Sequence, residues 1–287
     1  MNIIYIGSSG TLSLTPLLSL LGTSHCIKAI IVDNCVSDIP VKITDTDSIE
    51  FLAFDNNIPL IYLDENFSLS QQKFSSLQAD IIIVSCYPRK LPEKIIEIPK
   101  LGGINIHPSI LPLYRGPTPL FWQFRDGVNK FGVSIHRMTK EFDQGALLSQ
   151  QIVKIDDGIS MSELSQLLAK LAAQLLLQTL DDLELNKLDE VKQDELKATY
   201  YSFPQSSDFA FNTSWEAQRI YNFIIGAQRK DRVFFCELNH VTYRIISVYS
   251  YQTEPYLEIE NEDHKVLGDS LFIKCKEGYV KCKLAKS

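Results

Sequence analysis

"ADIIIVSC", Ala79–Cys86, is the run that decides the fold. Its centre is β-branched without a polar residue alternating into it, so neither face of the strand is meant for water. "NIIYIG", Asn2–Gly7, and "IKAIIVD", Ile27–Asp33, have the same character. Between them lie helix-like stretches. "SLTPLLSLLG", Ser13–Gly22, carries Pro16 where a first helical turn tolerates it, and "TDSIEFLAFDNN", Thr46–Asn57, ends in a pair of asparagines. Apolar strands alternating with helices predict an α/β fold: a doubly wound, mostly parallel sheet covered on both faces. Ligands of such sheets sit beyond the carboxyl ends of the strands.

After a further helix-like piece, "PEKIIEIPKLG", comes "GGINIHPSILPLYRGPTPLFWQF", Gly102–Phe124. Asn105 and His107 are two apart on a strand, so they share a face. "FGVSIHRM" and "LLSQQIVKI" flank the turn "TKEFDQGA" and read as a hairpin or sheet-edge unit, with Asp143 in the turn. Ser160 and Glu163 form a capping-box pattern ahead of "ELSQLLAKLAAQLLLQTLDDLE", whose apolar stripe is for packing. The polar stretch Asn186–Ala210 reads as a linker. "SWEAQRIYNFIIGA" reads as a helix capped by Ser214. The short runs "RVFFCEL", "VTYRIISVYS", "YLEIEN", "SLFIKCK" and "YVKCKLA" then predict a small OB-like β-barrel. The expected organisation is a catalytic domain over 1–185, a linker over 186–207 and a small β-domain over 208–287.

Bulk properties exclude several classes. The 287 residues are 45% hydrophobic and 22% charged, as in an ordinary globule. No apolar run approaches the ~18–20 residues of a membrane helix, and the N-terminus lacks a basic signal region. A cytoplasmic protein with no membrane partner is expected. The six cysteines are scattered without a C-x-x-C pair, so zinc chemistry has little support and no metal is expected. A net charge of −7 gives no global attraction for nucleic acid. The Gly7-Ser8-Ser9-Gly10 loop lacks both nucleotide-binding spacings and reads as a strand-to-helix turn more than a phosphate cradle.

Asn105, His107 and Asp143 have complementary chemistry. A neutral imidazole moves protons near neutrality, a carboxylate orients it or relays the proton, and an amide N–H donates to an oxygen gaining charge. No nucleophilic Ser or Cys is built in, which suits direct acyl transfer between two bound substrates. The residues alone also allow a structural reading, with His107 ending a strand and Asp143 forming a turn.

Three elements in order weigh on that choice: Asn105-Ile-His107, then Ser109-Ile-Leu111-Pro112-Leu-Tyr114-Arg115-Gly116, then Asp143-Gln-Gly145. Together they resemble the folate-dependent formyltransferases over roughly the first 200 residues. The remainder looks, more loosely, like the β-domain behind the catalytic domain of methionyl-tRNA formyltransferases. The resemblance implies 10-formyltetrahydrofolate as co-substrate. Asn105, helped by protonated His107, would stabilise the oxyanion, and Asp143 would orient His107 and help remove the amine proton. It implies pterin contacts from "CYPRKL" (Cys86, Tyr87, Pro88, Leu91) and from Thr139 and Phe142. It also puts Ser109, Leu111, Tyr114, Arg115 and Gly116 on the acceptor side, with Arg115 either steering an anion or bracing the loop. Pro112, Pro117 and Pro119 stiffen that loop. Trp122 and His136 read as structural.

The resemblance implies a primary amine as acceptor. Residues 33–50 hold five acidic residues against Lys42, and Gln205–Ser287 balances eleven basic with eleven acidic residues. A tRNA binder should present positive charge, so a small-molecule amine or amino-sugar nucleotide is favoured over initiator tRNA. A glycinamide-ribonucleotide transformylase is a single shorter domain, and a formyl-folate hydrolase usually adds an N-terminal regulatory one. A catalytically silent RNA- or ligand-binding relative is the alternative from another class. The sequence leaves the oligomeric state open.

Overall fold

The structure, a computed structural model, describes residues 1–33, 48–63, 70–87, 89–230, 232–259 and 262–286. The chain divides into two compact units. One comprises Met1–Pro117, Gly132–Val153 and Ser165–Tyr200; the other comprises Thr118–Phe131, Lys154–Leu164 and Tyr201–Ser287.

The first unit is built on a seven-stranded sheet. Its strands are β1 (Asn2–Ile6), β2 (Cys26–Asp33), β3 (Leu60–Leu63), β4 (Ile81–Ser85), β5 (Gly103–His107), β6 (Lys130–Arg137) and β7 (Leu147–Lys154), in the order β3-β2-β1-β4-β5-β6-β7. The pairs from β3 through β5 are parallel, and β5 to β6 is antiparallel. Helices α1 (Thr11–Leu21), α2 (Ile49–Asp55), α3 (Ser70–Ser76) and α4 (Glu93–Ile96) follow the parallel strands. Ile3, Ile4, Ile6, Ile30, Ile31, Ile81, Ile82 and Ile83 are fully buried on alternating faces, so the run that predicts a two-sided sheet is buried on both sides. Each such side chain contributes about 1.5–3 kcal/mol of transfer free energy.

Helix α1 corrects one expectation. Pro16 lies inside the helix rather than in its first turn. A proline there leaves the carbonyl four residues back without its helical donor. That carbonyl, Leu12 O, accepts the Ser85 hydroxyl at 2.9 Å instead. The loop before α1 is a latched turn: Ser8 Oγ donates to Cys86 O, and Ser9 Oγ donates to Glu50 while accepting from Ile49 N. Ser48 caps α2 by accepting from Phe51 N.

The segment expected as a linker begins differently. Residues 186–200 belong to the first unit: Val191 pairs with Leu147, Arg115 with Tyr200, and Gln193 is buried. Its polar composition reflects hydrogen bonds made within the protein as well as to water.

The second unit contains α5 (Pro119–Asp126), the start of α6 (Met161–Glu184), and α7 (Ala217–Ala227). Its sheet joins β8 (Ala210–Phe211), β9 (Phe234–Leu238), β10 (Val241–Gln252), β11 (His264–Leu267), β12 (Ser270–Lys274) and β13 (Tyr279–Leu284), in the order β11-β12-β13-β10-β9-β8. Ile220, Phe223, Ile224 and Ala227 form the buried stripe of α7, and Phe223 meets Phe234 edge-on at 5.3 Å. Gly226 lets α5 approach, because a Cβ there would enter the Phe124 ring. The Ser160–Glu163 capping box of α6 forms as expected. Three details differ from the sequence reading. Glu216, not Ser214, precedes α7, since Ser214 is held by Asn212. "YLEIEN" contains a 3-10 turn over Leu257–Ile259 rather than a strand, and β11 was not expected.

Candidate active site

Strand β5 delivers Asn105 and His107 to one face at the carboxyl end of the parallel sheet, where binding is expected. The antiparallel pairing with β6 sets His136 directly opposite Asn105 and Ser134 opposite His107. Asp143 enters from the turn after β6. It adopts a left-handed backbone conformation, φ 55°, and its side chain is buried. Gly145 allows that turn to close, because a Cβ there would collide with the carbonyl of Arg137.

The four side chains form one cluster. Asp143 Oδ1 lies 3.6 Å from His107 Nδ1, 3.4 Å from His136 Nε2 and 3.3 Å from Asn105 Nδ2. Asp143 Oδ2 accepts the Gly116 N–H at 2.8 Å. The tautomers follow from partners that can only accept. His107 Nε2 faces Tyr114 O at 2.8 Å, so Nε2 carries the hydrogen. His136 Nδ1 faces Arg137 O at 2.8 Å, so Nδ1 carries a hydrogen, and its Nε2 lies 3.1 Å from Asn105 Nδ2.

Burial pushes the His107 pKa below its ordinary value, with Asp143 and Tyr114 O opposing only in part. Burial alone would raise Asp143; the neighbouring histidines, once charged on acidification, and the Gly116 N–H outweigh it and hold the carboxyl well below the usual range. The resting state is therefore a carboxylate beside a neutral imidazole. That imidazole takes a proton at Nδ1, toward Asp143, without breaking its bond to Tyr114 O.

The expected residues divide by position. Tyr114, φ 59°, supplies the carbonyl that orients His107, and Gly116 supplies the N–H that holds Asp143. Ser109 and Leu111 are buried: Ser109 Oγ donates to Leu113 O, and Leu111 N donates to Ser134 Oγ. They shape the loop rather than face an acceptor. Arg115 is a brace rather than an anion steerer. Its buried guanidinium donates to Gln193 Oε1 and to both carboxylate oxygens of Glu195 at 2.8–3.2 Å. Leu91 belongs to the core cluster with Ile95 and Ile96, so it corrects the pterin-contact expectation. Pro88 lies outside the described residues.

The two segments expected to flank a pterin do meet. Lys90 Nζ reaches Glu141 at 3.2 Å and lies 5.8 Å from the Phe142 ring centroid. Phe142 and Thr139 are exposed, Tyr87 packs partly buried against the core, and Cys86 is exposed with φ 57°. An exposed ring beside a backbone-rich loop suits a flat heterocycle with polar edges.

Three positions escaped the sequence reading. His136, read as structural, contacts both Asn105 Nδ2 and Asp143 Oδ1. Gln193 and Thr199 bind the loops that carry the cluster: Gln193 Nε2 donates to Asp143 O and Gly145 O, and Thr199 Oγ1 accepts from Tyr114 N. The alternation of Ser134 and His136 in β6 was the available signal for His136.

The sequence profile described as "Formyl transferase" matches residues 63–180. The chain is 30% identical over 261 residues to a methionyl-tRNA formyltransferase of Staphylococcus epidermidis, spanning 88% of this chain and 83% of that one. This chain belongs to the folate-dependent formyltransferase family. It is a formyl-transfer enzyme, and its fold recurs in solved relatives. An N-formyltransferase from Helicobacter canadensis, solved with folinic acid and dTDP-3-aminofucose, aligns with TM-score 0.73 at 18% identity over 98% of each chain. A methionyl-tRNA formyltransferase from Clostridium thermocellum aligns with TM-score 0.56 at 12% identity over 100% of each. Among the described residues of the formyltransferase no helix is long and apolar enough to cross a membrane, and no group of three His, Cys, Asp or Glu is arranged to hold a metal ion.

Proposed function

We propose that the enzyme moves a formyl group from 10-formyltetrahydrofolate to the primary amine of a nucleotide-linked amino sugar, using Asn105, His107 and Asp143. The observation that carries the catalytic reading is the shared carboxylate: Asp143 Oδ1 lies within 3.6 Å of His107, His136 and Asn105. The donor supplies a formyl carbon whose oxygen gains negative charge as an amine adds.

The protein's part is positioning, charge stabilisation and proton removal. Asn105 Nδ2 uses its shorter bond to stay aligned on His136 and re-aims its longer one, now 3.3 Å from Asp143, toward the oxyanion. Neutral His107 receives the amine proton at Nδ1, directly or through water. The resulting imidazolium, paired with Asp143, returns that proton to N10 of the folate as the oxyanion collapses and the formyl C–N10 bond breaks, which releases tetrahydrofolate and the N-formyl product and restores neutral His107. The family scheme in which protonated His107 supports the oxyanion applies between those two proton transfers rather than at rest.

Charge supports the sugar amine. Gln205–Ser287 has no net charge, residues 33–50 are net acidic, and the chain carries −7; a phosphate-rich acceptor favours the opposite sign. A second reading, methionyl-tRNA as acceptor, is favoured by the Staphylococcus epidermidis relative. The clusters Arg229, Lys230 and Arg232 and Lys274, Lys276, Lys281, Lys283 and Lys286 would then be its docking face. Parallel assays with amino-sugar nucleotides and methionyl-tRNA separate the two. Transfer to the sugar amine alone supports the first reading, and transfer to the tRNA alone overturns it.

A further inference from the structure

Two residues of the cluster depend on backbone that L-residues rarely adopt. Asp143 has φ 55° and Tyr114 has φ 59°. Neither is glycine or asparagine, and such strained backbone persists only where its surroundings hold it. Asp143 presents the carboxylate, and Tyr114 presents the carbonyl that sets the His107 ring. Both are gripped by the same short segment, the one whose composition suggests a linker.

Gln193 is 3% exposed. Its Nε2 donates to Asp143 O and Gly145 O, both at 2.7 Å, so both amide hydrogens hold the catalytic turn. Its Oε1 accepts twice from Arg115, at 2.8 and 3.2 Å. Arg115 lies between Tyr114 and Gly116, which contact His107 and Asp143 respectively. Six residues on, Thr199 Oγ1 accepts from Tyr114 N, Thr199 O accepts from Arg115 N, and Thr199 N donates to Pro112 O. The network closes into a ring: Asp143 carbonyl, Gln193, Arg115, Gly116 N–H, Asp143 carboxylate.

We infer that Gln193 is a positioning residue that fixes Asp143 against His107, with Thr199 fixing His107 from the other side through Tyr114. The inference rests on the proposed catalytic roles of Asp143 and His107. Gln193 touches no reacting atom. It acts by holding the carbonyls of Asp143 and Gly145, and so the turn in which Asp143 presents its carboxylate. A buried amide donating to two carbonyls is specific for glutamine here: glutamate has no hydrogens for them, and alanine leaves Asp143 O, Gly145 O and Arg115 without that partner.

The test combines a substrate-free readout with kinetics, using the full chain and the variants Gln193→Ala, Gln193→Glu and Thr199→Val. The first arm follows the imidazole NMR signals of His107 and His136 across pH without ligands. Asp143 supports the charged form of His107, so its displacement in Gln193→Ala moves the His107 titration to lower pH. The second arm measures kcat and KM on whichever acceptor the wild type uses. A misplacement of about 1 Å lowers kcat about 10–100-fold, with both KM values held within about threefold. Gln193→Glu keeps the volume and the Arg115 pairing, so it reports on the lost donors if the alanine variant fails to fold. Thr199→Val reports on Tyr114 independently. Folded Gln193 variants with an unchanged His107 titration and unchanged kcat overturn the inference. A wild type that transfers formyl to no amine defeats the catalytic reading, while the NMR arm still decides whether Gln193 positions Asp143.

Discussion

Nε2 of His107 lies 2.8 Å from the carbonyl oxygen of Tyr114. A carbonyl only accepts, so this contact assigns the ring hydrogen to Nε2 and leaves Nδ1 to face Asp143. The nitrogen left free to take a proton is thereby fixed as Nδ1.

The pH dependence follows from that assignment. His107 has a folded pKa lowered by burial, so the folded state holds fewer protons than the unfolded chain below the ordinary histidine value of about 6.5. Its contribution to stability is complete above that pH and is lost as pH falls toward the folded value. Asp143, also lowered, keeps its contribution down to about pH 4 and loses it below. His107 and Asp143 therefore contribute two successive declines of Tm on acidification, the first of them absent in His107→Asn. The acid limb of kcat, followed over the same range, lies below 6.5; a limb above it contradicts a neutral resting His107.

Asp143→Asn removes the charge that stabilises the imidazolium while nearly preserving shape. It also places an NH₂ or a weaker acceptor against Gly116 N and Asn105. The expected loss in kcat is about 10²–10⁴-fold, the range of a positioned acid–base partner, measured by steady-state transfer with circular dichroism confirming the fold.

Arg115→Lys keeps the charge but loses the fork that serves Gln193 and Glu195 together. Leaving Gln193 Oε1 under-satisfied costs about 1–3 kcal/mol, so urea unfolding should move to lower denaturant. A substrate-steering role would instead raise the acceptor KM with stability unchanged.

Pro16 and Ser85 should be energetically coupled. Ser85→Ala leaves Leu12 O without its donor, at about 1–3 kcal/mol. Pro16→Ala restores the helical N–H to that carbonyl, so the serine loss should cost less in the Pro16→Ala background. A double-mutant cycle by chemical denaturation measures the difference, and additive effects contradict the compensation.

The legible parts of this protein are those governed by local pattern. Ile81–Val84 announces a two-sided strand, Ser160 and Glu163 announce the start of α6, and the two-residue spacing of Asn105 and His107 puts them on one face. Asp143 was legible through the Asp-x-Gly element of the family. His136 was not, because its place depends on the register of β5 against β6 after a long excursion through the proline loop and α5. Gln193 was hidden for a different reason. A polar residue amid lysines and acids looks like solvent-facing chain, and only tertiary structure reveals that its amide serves two buried carbonyls. Arg115 allowed two readings until the position of Glu195 was known.

The most direct test is transfer from 10-formyltetrahydrofolate to a panel of amino-sugar nucleotides, with methionyl-tRNA in parallel and His107→Ala and Asn105→Ala beside the wild type. The expected result is N-formylation of a sugar amine by the wild type, loss of that activity in both variants, and no turnover of the tRNA. Wild-type activity retained in His107→Ala, or formylation of the tRNA with every sugar amine inert, would contradict it.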